Sequence, residues 1–483
     1  MNEIHLGARS FDRFEPLLSA ERYAQTLRAA AAIQLRMRGR VLWNVNSSAV
    51  GGGVAEMLRP LLAYSRGMGV DARWLVIRGD AEFFRVTKRL HHALHGSRGD
   101  GSALGEDERR IYEDTLRDNA VELLGHVQPR DVVLLHDPQT AGLAPHLTRA
   151  GAIQVWRCHI GHDATNEEVE RGWQFLRPYL SEIPAFVFSR EAYVPIFCDH
   201  GKASVIQPSI DPFSPKNQEL DEATVRAILV GAGLLDGPLP DATPPIFERE
   251  DGTPGRVEQH AEVIRLGRPP SWETPLVVQI SRWDPLKDFL GVMRGFAGVV
   301  DGGAPAGAEL ILAGPDVRAV ADDPEGREVF DAVVEAWRAL PEVVRDRIHL
   351  VSLPTDDVDA NAAIVNALQR HAAIVVQKSL QEGFGLTVTE AMWKGRAVVA
   401  SAVGGIQDQI ESGVQGLLIK DPTDLDAFAA AVRRLLGDAD LADRLGAAAR
   451  ERVREQFLGV RHLLEYAHLI ERLDDASAPD EGS

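Results

Sequence analysis

Cysteine is almost missing from this sequence, which has only Cys158 and Cys198 among its 483 residues. Two thiols in a chain of this length exclude a disulfide framework and favour a reducing compartment. Long apolar runs are missing as well, since none approaches the roughly 20 residues that cross a bilayer. Residues 1–10 also lack the apolar core of a signal peptide. We therefore expect a cytoplasmic protein with no membrane partner.

Basic side chains are scarce relative to acidic ones. Lysine and arginine total 52 against 71 aspartates and glutamates, so the formal net charge is -19. Such an acidic surface repels nucleic acid and anionic lipid, and we expect neither as a partner. It still permits a local basic pocket for a phosphorylated small molecule. The hydrophobic fraction of 45% is that of a packed globular protein, and the length predicts two domains.

Several catalytic motifs are missing too. The chain has no P-loop lysine, no Gly-x-Gly-x-x-Gly fingerprint and no Gly-x-Ser-x-Gly elbow, and the last absence disfavours a hydrolase. His136-Asp137 and the segment 159–163 are rich in histidine and aspartate at predicted strand ends, but their spacing matches no standard zinc motif. We expect these residues to hydrogen-bond a polar substrate rather than to hold a metal. Cys158 and His159 are adjacent on a strand and point to opposite faces, so we interpret Cys158 as core.

Apolar strands alternate with helix-length segments, which predicts parallel sheets covered by helices on both faces. The alternation stops at 207–215, where three prolines in nine residues indicate a linker, and it restarts near Leu276. We expect a Rossmann-like domain over 1–212, with a helical lead-in at 11–38.

The rest of the chain is expected to form a second Rossmann-like domain over 213–455, with a polar insertion at about 217–270. Residues 456–483 are expected to form a helix that packs back on the first domain. The acidic tail from Asp474 to Ser483 is expected to be disordered.

The stretch from Glu382 to Glu390 joins an apolar strand to a helical run. Gly383, Phe384 and Gly385 form a permissive turn between the two carboxylates, and the helix start offers backbone amides to an anion. Carboxylates accept hydrogen bonds from pairs of hydroxyls, so this combination favours a sugar nucleotide. The alternative interpretation is a surface loop residue followed by a solvated helix position.

Two further segments lie where a strand meets a helix. Arg282 and Lys287 follow the strand at 276–280, and at the carboxyl edge of a parallel sheet both can reach one diphosphate. Gly51–Gly53 lies between a strand and a helix, where glycine permits close approach of a phosphate. The alternatives are a solvated charged loop and a tight turn.

Together these segments resemble the retaining GT-B glycosyltransferases of the glycogen-synthase and sucrose-synthase type. The Glu-x7-Glu signature of that group matches Glu382 and Glu390, its Arg-x4-Lys pair matches Arg282 and Lys287, and its glycine loop matches Gly51–Gly53. Over nearly its whole length the chain is particularly similar to the trehalose glycosyltransferring synthases. The segments that carry this likeness are 43–48, 51–56, 72–74, 82–88, 136–139, 156–160 and 208–212.

The resemblance implies two Rossmann-like domains with parallel sheets that face a central cleft. It also implies retaining transfer of glucose from a nucleoside diphosphate glucose to glucose, which forms α,α-trehalose. The catalytic residues it implies are Arg282, Lys287, Glu382 and His159. The donor-binding residues it implies are Gly52, Gly53, Gly383, Phe384, Gly385 and Glu390. The acceptor-side residues it implies, in the first domain, are His136, Asp137, His162 and Asp163.

No cofactor is required on this account, in which the nucleotide sugar and the acceptor sugar are the partners; magnesium is compatible but not implied, and a homodimer is left open. Two features depart from the family pattern, namely Gly161 where an acidic residue is expected and the long segment at 217–270. The first departure bears on the acceptor. A trehalose phosphorylase and a non-catalytic sugar-nucleotide-binding protein are the alternatives, and the donor base is undecided between ADP, UDP and GDP.

Overall fold

Two compact units make up the chain. The first comprises Met1–Ser209 together with Phe457–Ser483, and the second comprises Ile210–Gln456. The computed structural model describes residues 1–49, 52–238, 246–303, 307–317 and 324–477. The chain passes between the units three residues before the expected boundary at 212 and one residue after the expected boundary at 455.

Sixteen strands and sixteen helices are described. The strands are β1 (Asn2–Ile4), β2 (Leu42–Asn46), β3 (Ala72–Val76), β4 (Val132–His136), β5 (Ile153–Cys158), β6 (Ala185–Phe188), β7 (Ala203–Val205), β8 (Ile246–Glu248), β9 (Pro254–Arg256), β10 (Glu262–Ile264), β11 (Leu276–Ile280), β12 (Glu309–Pro315), β13 (Ile348–Leu353), β14 (Ile374–Gln377), β15 (Ala397–Ser401) and β16 (Leu417–Ile419). The helices are α1 (Ala20–Arg36), α2 (Gly53–Gly67), α3 (Ala81–Leu94), α4 (Glu106–His126), α5 (Ala144–Ala150), α6 (Glu167–Leu180), α7 (Glu222–Gly231), α8 (Phe289–Asp301), α9 (Pro324–Arg338), α10 (Glu342–Arg345), α11 (Val358–His371), α12 (Leu386–Trp393), α13 (Ile406–Gln409), α14 (Leu425–Gly437), α15 (Ala439–Gln456) and α16 (Gly459–Ser477).

The sheet of the first unit has the order β1-β3-β2-β4-β5-β6-β7, and every pairing is parallel except that of β1 with β3. Both faces are buried. Along β4, Val133 and Leu135 join one hydrophobic cluster while Val132 and Leu134 join another on the opposite face. Each of these consecutive apolar residues is therefore buried on one face or the other, which explains why the sequence of this strand is a continuous apolar run.

The last helix completes the first unit. α16 packs against α1 and α2, and Leu469 and Ile470 belong to one of the two hydrophobic clusters of this unit. Arg40 Nη1 lies 2.8 Å from Asp474 Oδ2, and both side chains are largely buried. Helix α16 continues to Ser477, so the prediction that the chain is disordered from Asp474 onwards is wrong for 474–477. Residues 478–483 lie outside the described part.

The sheet of the second unit also has seven strands, but in a different order, β10-β13-β12-β11-β14-β15-β16. The edge strand β10 is antiparallel to β13, and the other pairings are parallel. Strands β11 and β14 are central neighbours, with Val277 opposite Ile374. The loops that follow these two strands therefore leave the sheet side by side at its carboxyl edge, where ligands bind in open α/β sheets.

The proline-rich segment ends in a fixed connection. Asn217 Nδ2 donates to the carbonyl of Asp211 at 3.1 Å, and Asn366 Nδ2 from α11 donates to the carbonyl of Pro215 at 3.1 Å. Trp393 Nε1 from α12 donates to the carbonyl of Asn217 at 3.1 Å. Part of the expected irregular insertion also has regular structure, in α7 and β8 to β10, whereas 239–245 lies outside the described residues.

Candidate active site

Glu382 lies in the loop that joins β14 to α12 and is bound from two sides. Its Oε2 lies 2.5 Å from Lys287 Nζ and accepts a hydrogen bond from Ser379 Oγ at 3.1 Å. The side chains of Lys287 and Glu382 are only 18% and 12% exposed. The interpretation of Glu382 as a plain surface loop residue is therefore wrong, because a largely buried ion pair with Lys287 fixes its side chain at the edge of the sheet.

A chain of hydrogen bonds continues behind this ion pair. Ser379 Oγ accepts from Gln377 Nε2 at 3.0 Å, and Gln377 Oε1 accepts from Ser281 Oγ at 3.2 Å. The chain joins the loop after β11 to the loop after β14 and holds the Glu382 carboxylate from behind. Sequence reasoning missed Gln377 and Ser379, although a polar residue that ends an apolar strand is a usable signal.

Arg282 behaves differently from Lys287. Its side chain is 66% exposed, and Nη2 lies 3.7 Å from Asp284 Oδ2. An exposed pair at this distance contributes little stability. The spacing predicts that Arg282 and Lys287 reach the same diphosphate. In the structure, Lys287 forms an ion pair with Glu382, whereas the guanidinium of Arg282 lies at the surface of the same loop.

Glu390 lies on α12 in a buried polar cluster. Its side chain is 8% exposed, and Oε1 lies 3.7 Å from Lys216 Nζ. The next turn brings the buried Lys394, whose Nζ donates to Asn217 Oδ1 at 3.0 Å and to Gln369 Oε1 at 2.8 Å. Burial lowers the pKa of Lys394 to about 7, and Glu390 opposes this shift. A solvated position for Glu390 is thus excluded.

The glycine turn before α12 is supported by a second glycine turn. Gly385 has φ 86°, a left-handed conformation that favours glycine. Behind it, the amide of Gly405 donates to the carbonyl of Gly383 at 3.2 Å, and Gln409 Nε2 donates to the carbonyl of Phe384 at 2.5 Å. A Cβ atom on Gly405 would lie 2.6 Å from Phe384 Cδ2. Two chain segments thus fit together only because one of them lacks a side chain.

In the first unit, His136 at the end of β4 contacts His159 after β5. His136 Nδ1 lies 3.1 Å from His159 Nε2, and the rings stack with centroids 5.4 Å apart. His136 Nε2 lies 3.0 Å from Asn44 Oδ1, and Arg157 Nε donates to His159 Nδ1 at 3.3 Å. Burial lowers the pKa of His136 to about 3 and that of His159 well below its usual value, with Arg157 adding to both shifts.

Asp137 caps this pair. It has φ 64°, and its Oδ1 accepts from the backbone amide of His159 at 2.7 Å. Burial raises the pKa of the Asp137 carboxyl to about 7, although the hydrogen bond from His159 and the charge of Arg157 oppose the shift. The Asp137 carboxyl group therefore joins the segments that follow β4 and β5.

The other predicted acceptor-side residues have different neighbours. His162 Nδ1 lies 2.6 Å from the carbonyl of Ala164, and Asp163 forms an ion pair with Arg190. A Cβ atom on Gly161 would lie 2.0 Å from Tyr193 Cγ. The ring of Tyr193 therefore occupies the space in which the expected acidic side chain would lie.

The glycine loop opens α2. Gly52 precedes the helix with φ 86° and ψ 154°, and Gly53 is its first residue. Among the described residues, no atom other than those of its chain neighbours lies within 4 Å of a Cβ placed on Gly52. The first amides of α2 have no capping side chain, so they suit an anion. Gly51 lies outside the described residues.

Within the described part of the chain, no group of three or more histidine, cysteine, aspartate or glutamate side chains is arranged to hold a metal ion. None of the described helices is at once long and apolar enough to cross a membrane.

Comparison with known proteins agrees with this architecture. Residues 44–195 match the family model described as trehalose synthase, N-terminal domain, and residues 358–452 match glycosyl transferases group 1. A trehalose synthase of Pyrococcus horikoshii is 33% identical over 98% of this chain and 99% of its own length. A trehalose synthase of Rubrobacter xylanophilus is 31% identical over 98% of this chain and 99% of its own length. The structure of an α,α-trehalose-phosphate synthase from Burkholderia xenovorans superimposes with a TM-score of 0.65 at 16% identity, over 90% of this chain and 100% of that one.

Two parallel-sheet units, together with the match to glycosyl transferases group 1 and the structural likeness just described, define a glycosyltransferase of the GT-B class. The predicted fold class is confirmed. Within that class the chain belongs to the trehalose synthase family, as the near-complete match to its members establishes.

Proposed function

We propose that this chain transfers glucose from a nucleoside diphosphate glucose to free glucose with retention at the anomeric carbon, forming α,α-trehalose. The observation that carries the proposal is the Lys287–Glu382 ion pair at the carboxyl edge of β11 and β14. It places a cation and a carboxylate together where a parallel sheet binds ligands. The cation can bind a diphosphate, and the carboxylate can accept hydrogen bonds from sugar hydroxyls.

The second unit supplies the donor contacts in this proposal. Lys287 and Arg282 neutralise the charge that grows on the leaving diphosphate, which is usually the largest electrostatic contribution to such a reaction. The surface position of Arg282 leaves its guanidinium available to a ligand. Glu382 accepts hydrogen bonds from glucose hydroxyls, and Glu390 accepts them from the ribose. The amides of the turn Gly383–Gly385 add donors beside α12.

The chemistry uses no protein nucleophile. The acceptor hydroxyl oxygen forms the new bond to the anomeric carbon on the same face from which the diphosphate oxygen leaves, as the bond to that oxygen breaks. The hydroxyl proton passes to that diphosphate oxygen, so atoms and charge balance. In the first unit His136, His159 and Asp137 face the transferred sugar or the acceptor, and Gly52 and Gly53 offer helix amides to phosphate. No step in this scheme requires a metal.

An activity screen tests the proposal. ADP-, UDP- and GDP-glucose are each incubated with glucose and with other acceptor sugars, and products are identified by mass and by the coupling of their anomeric protons. α,α-Trehalose with stoichiometric release of nucleoside diphosphate is the expected result. A disaccharide formed only with another acceptor would overturn the trehalose assignment and leave the transferase intact.

The same screen separates the two alternatives. Breakdown of trehalose that depends on inorganic phosphate and ignores nucleotides would identify a phosphorylase, and the buried ribose contact assigned to Glu390 would then have no ligand. Donor binding by calorimetry with no product over hours would identify a binding protein. An Arg338→Ala variant is the matched control for Arg282→Ala, because Arg338 is also an exposed arginine of the second unit, paired with Glu335 at 2.7 Å.

A further inference from the structure

Arg157 is a completely buried arginine at the end of β5. Its Nη1 donates to Tyr466 Oη at 2.6 Å and to His462 Nε2 at 3.1 Å, and its Nη2 donates to the carbonyl of Ile206 at 3.0 Å. Its Nε donates to His159 Nδ1. Within the described part of the chain, all hydrogen bonds of Arg157 therefore go to uncharged groups. Burying a charge without a hydrogen-bonded counter-charge costs stability, so this arrangement calls for another explanation.

The guanidinium decides the tautomers of its neighbours, because it can only donate hydrogen bonds. His159 Nδ1 must accept from Arg157 Nε, so a neutral His159 carries its proton on Nε2. That proton faces His136 Nδ1, which therefore accepts, and His136 carries its proton on Nε2. This second proton is donated to Asn44 Oδ1.

The same rule applies on the other side of Arg157. His462 Nε2 must accept from Nη1, so His462 is protonated on Nδ1 and donates to Ser209 Oγ, 2.9 Å away. The ring of His462 stacks on Tyr466 with centroids 5.3 Å apart. Both residues belong to α16, which is separated from β5 by the whole second unit in sequence.

We propose that Arg157 is a positioning residue for the candidate site, which locks His159 and His136 in their Nε2-protonated tautomers and is itself held in place by His462 and Tyr466 of α16. The tautomer assignment stands on geometry alone. Its catalytic consequence rests on the proposed function, in which the rings of His136 and His159 face the sugar.

The charges around the pair support neutral rings. The charged or titratable groups close enough to affect His159 are Arg157 from β5, His136 from β4 and His462 from α16. Asp137, which follows β4, accepts from the amide of His159, and Tyr466 of α16 accepts from Arg157. Burial is the largest cause that lowers the pKa of His159, followed by the charge of Arg157. The same two causes lower the pKa of His462 well below its usual value. Each ring then keeps one donor and one acceptor throughout neutral pH.

The direct test is the histidine tautomer in the full-length protein without substrate. Protein labelled with ¹⁵N in histidine is examined by long-range proton–nitrogen correlation in wild type, in Arg157→Gln and in the control Arg109→Gln. Arg109 is a suitable control because it also hydrogen-bonds a tyrosine and a carbonyl in the first unit, Tyr179 Oη at 2.8 Å and Phe175 O at 3.2 Å.

We expect single Nε2-protonated signals for His136 and His159 in wild type and in Arg109→Gln. Glutamine at 157 can accept as well as donate, so Arg157→Gln should give mixed tautomers. Wild-type signals from the Nδ1-protonated form, or unchanged signals in Arg157→Gln, would overturn the proposal. Because no substrate is present, failure of the proposed function does not alter this result.

Kinetics supply the second measurement. In Arg157→Gln we expect kcat to fall on the order of 10- to 10²-fold with KM little changed, as for a misplaced catalytic contact. The acid limb of the rate profile should move to higher pH, because a positive charge that lowers the histidine pKa is removed. Tyr466→Phe removes one acceptor only and should give a smaller loss of kcat in a fully folded protein. Wild-type kcat and an unchanged pH profile in both variants would also overturn the proposal.

Discussion

Lys287 and Glu382, which are 95 positions apart in the chain, share a 2.5 Å ion pair that joins the loop after β11 to the loop after β14. The two strands are neighbours in the sheet. Each loop alone carries an ordinary charged residue. Their meeting at the sheet edge places a cation and a carboxylate side by side, as the proposed binding of a nucleotide sugar requires.

Replacing either member should impair turnover far more than stability. We expect Lys287→Met and Glu382→Gln each to lower kcat on the order of 10²- to 10³-fold, as for the loss of a transition-state donor. The double variant should lose much less than the product of the two factors, because the residues act as a unit. Steady-state rates of the three variants give the coupling.

A control for this cycle is the Arg249–Asp357 ion pair, which has a similar 2.6 Å contact in the same unit. Arg249→Met should keep the wild-type rate. Strictly multiplicative effects of Lys287→Met and Glu382→Gln would contradict the paired assignment.

Arg282→Ala should separate activity from stability. The side chain is 66% exposed, so we expect a melting temperature close to that of the wild type. We expect kcat to fall on the order of 10²- to 10³-fold, because the charge on the leaving diphosphate loses a partner. Calorimetric melting and initial rates are the measurements, with Arg338→Ala as the control. A near-normal rate in Arg282→Ala would refute its catalytic role.

Gly405→Ala should disturb the turn Gly383–Gly385 through a steric clash and not through backbone strain. The φ of Gly405 is -65°, which alanine adopts freely, but its Cβ would lie 2.6 Å from Phe384 Cδ2 and 2.7 Å from Phe384 Cα. We expect a loss of about 1–3 kcal/mol in the free energy of unfolding, typical of overpacking, and weaker binding of the nucleotide sugar.

Urea unfolding and titration calorimetry check this result. The matched control is Gly437→Ala, where an added Cβ meets nothing within 4 Å. Equal stability and equal donor affinity in Gly405→Ala would show that the two glycine turns do not depend on each other.

Asp137 should make stability depend on pH. Burial raises its carboxyl pKa from 3.8 to about 7 in the folded protein. Between these values the folded state binds the proton and the unfolded state does not, so the free energy of unfolding falls as pH rises through this window. Asp137→Asn, whose side chain also tolerates a left-handed backbone, lacks this loss.

The measurement is urea unfolding of wild type and variant at about pH 5 and about pH 8. Relative to wild type, Asp137→Asn should be more stable at the higher pH than at the lower one. Asp163→Asn, on the exposed ion pair with Arg190, is the control. Parallel pH dependences for Asp137→Asn and wild type would contradict the prediction.

Most of the fold follows from local sequence patterns. Buried parallel strands are continuous apolar runs, so the twelve strands from β2 to β7 and from β11 to β16 could be located within two or three residues. The edge strands β1 and β10 were missed because each has only three residues, none of which is buried. Their pairing depends on a neighbour distant in the sequence, which no short window contains.

The candidate site was predictable only in part. Glu382 and Glu390 follow from their spacing around glycines, whereas Gly405 and Gln377 do not, because their roles arise from contacts made after folding. The Arg157 cluster was missed for the same reason. His462 lies 305 positions from Arg157, and a lone histidine on a helix carries no sign of its partner.

The place of α16 sets the order in which the protein can be completed during synthesis. The first unit needs this helix for the partners of Arg157 and for the Arg40–Asp474 ion pair, yet the ribosome must first make all of Ile210–Gln456. At translation rates of about 5–20 residues per second, the first unit waits roughly 12 to 50 s for its last helix. Until then Arg157 lacks its partners on α16. The apolar sheet face that Leu469 and Ile470 later cover also stays partly exposed on the nascent chain, and exposed apolar surface of this kind is what chaperones bind.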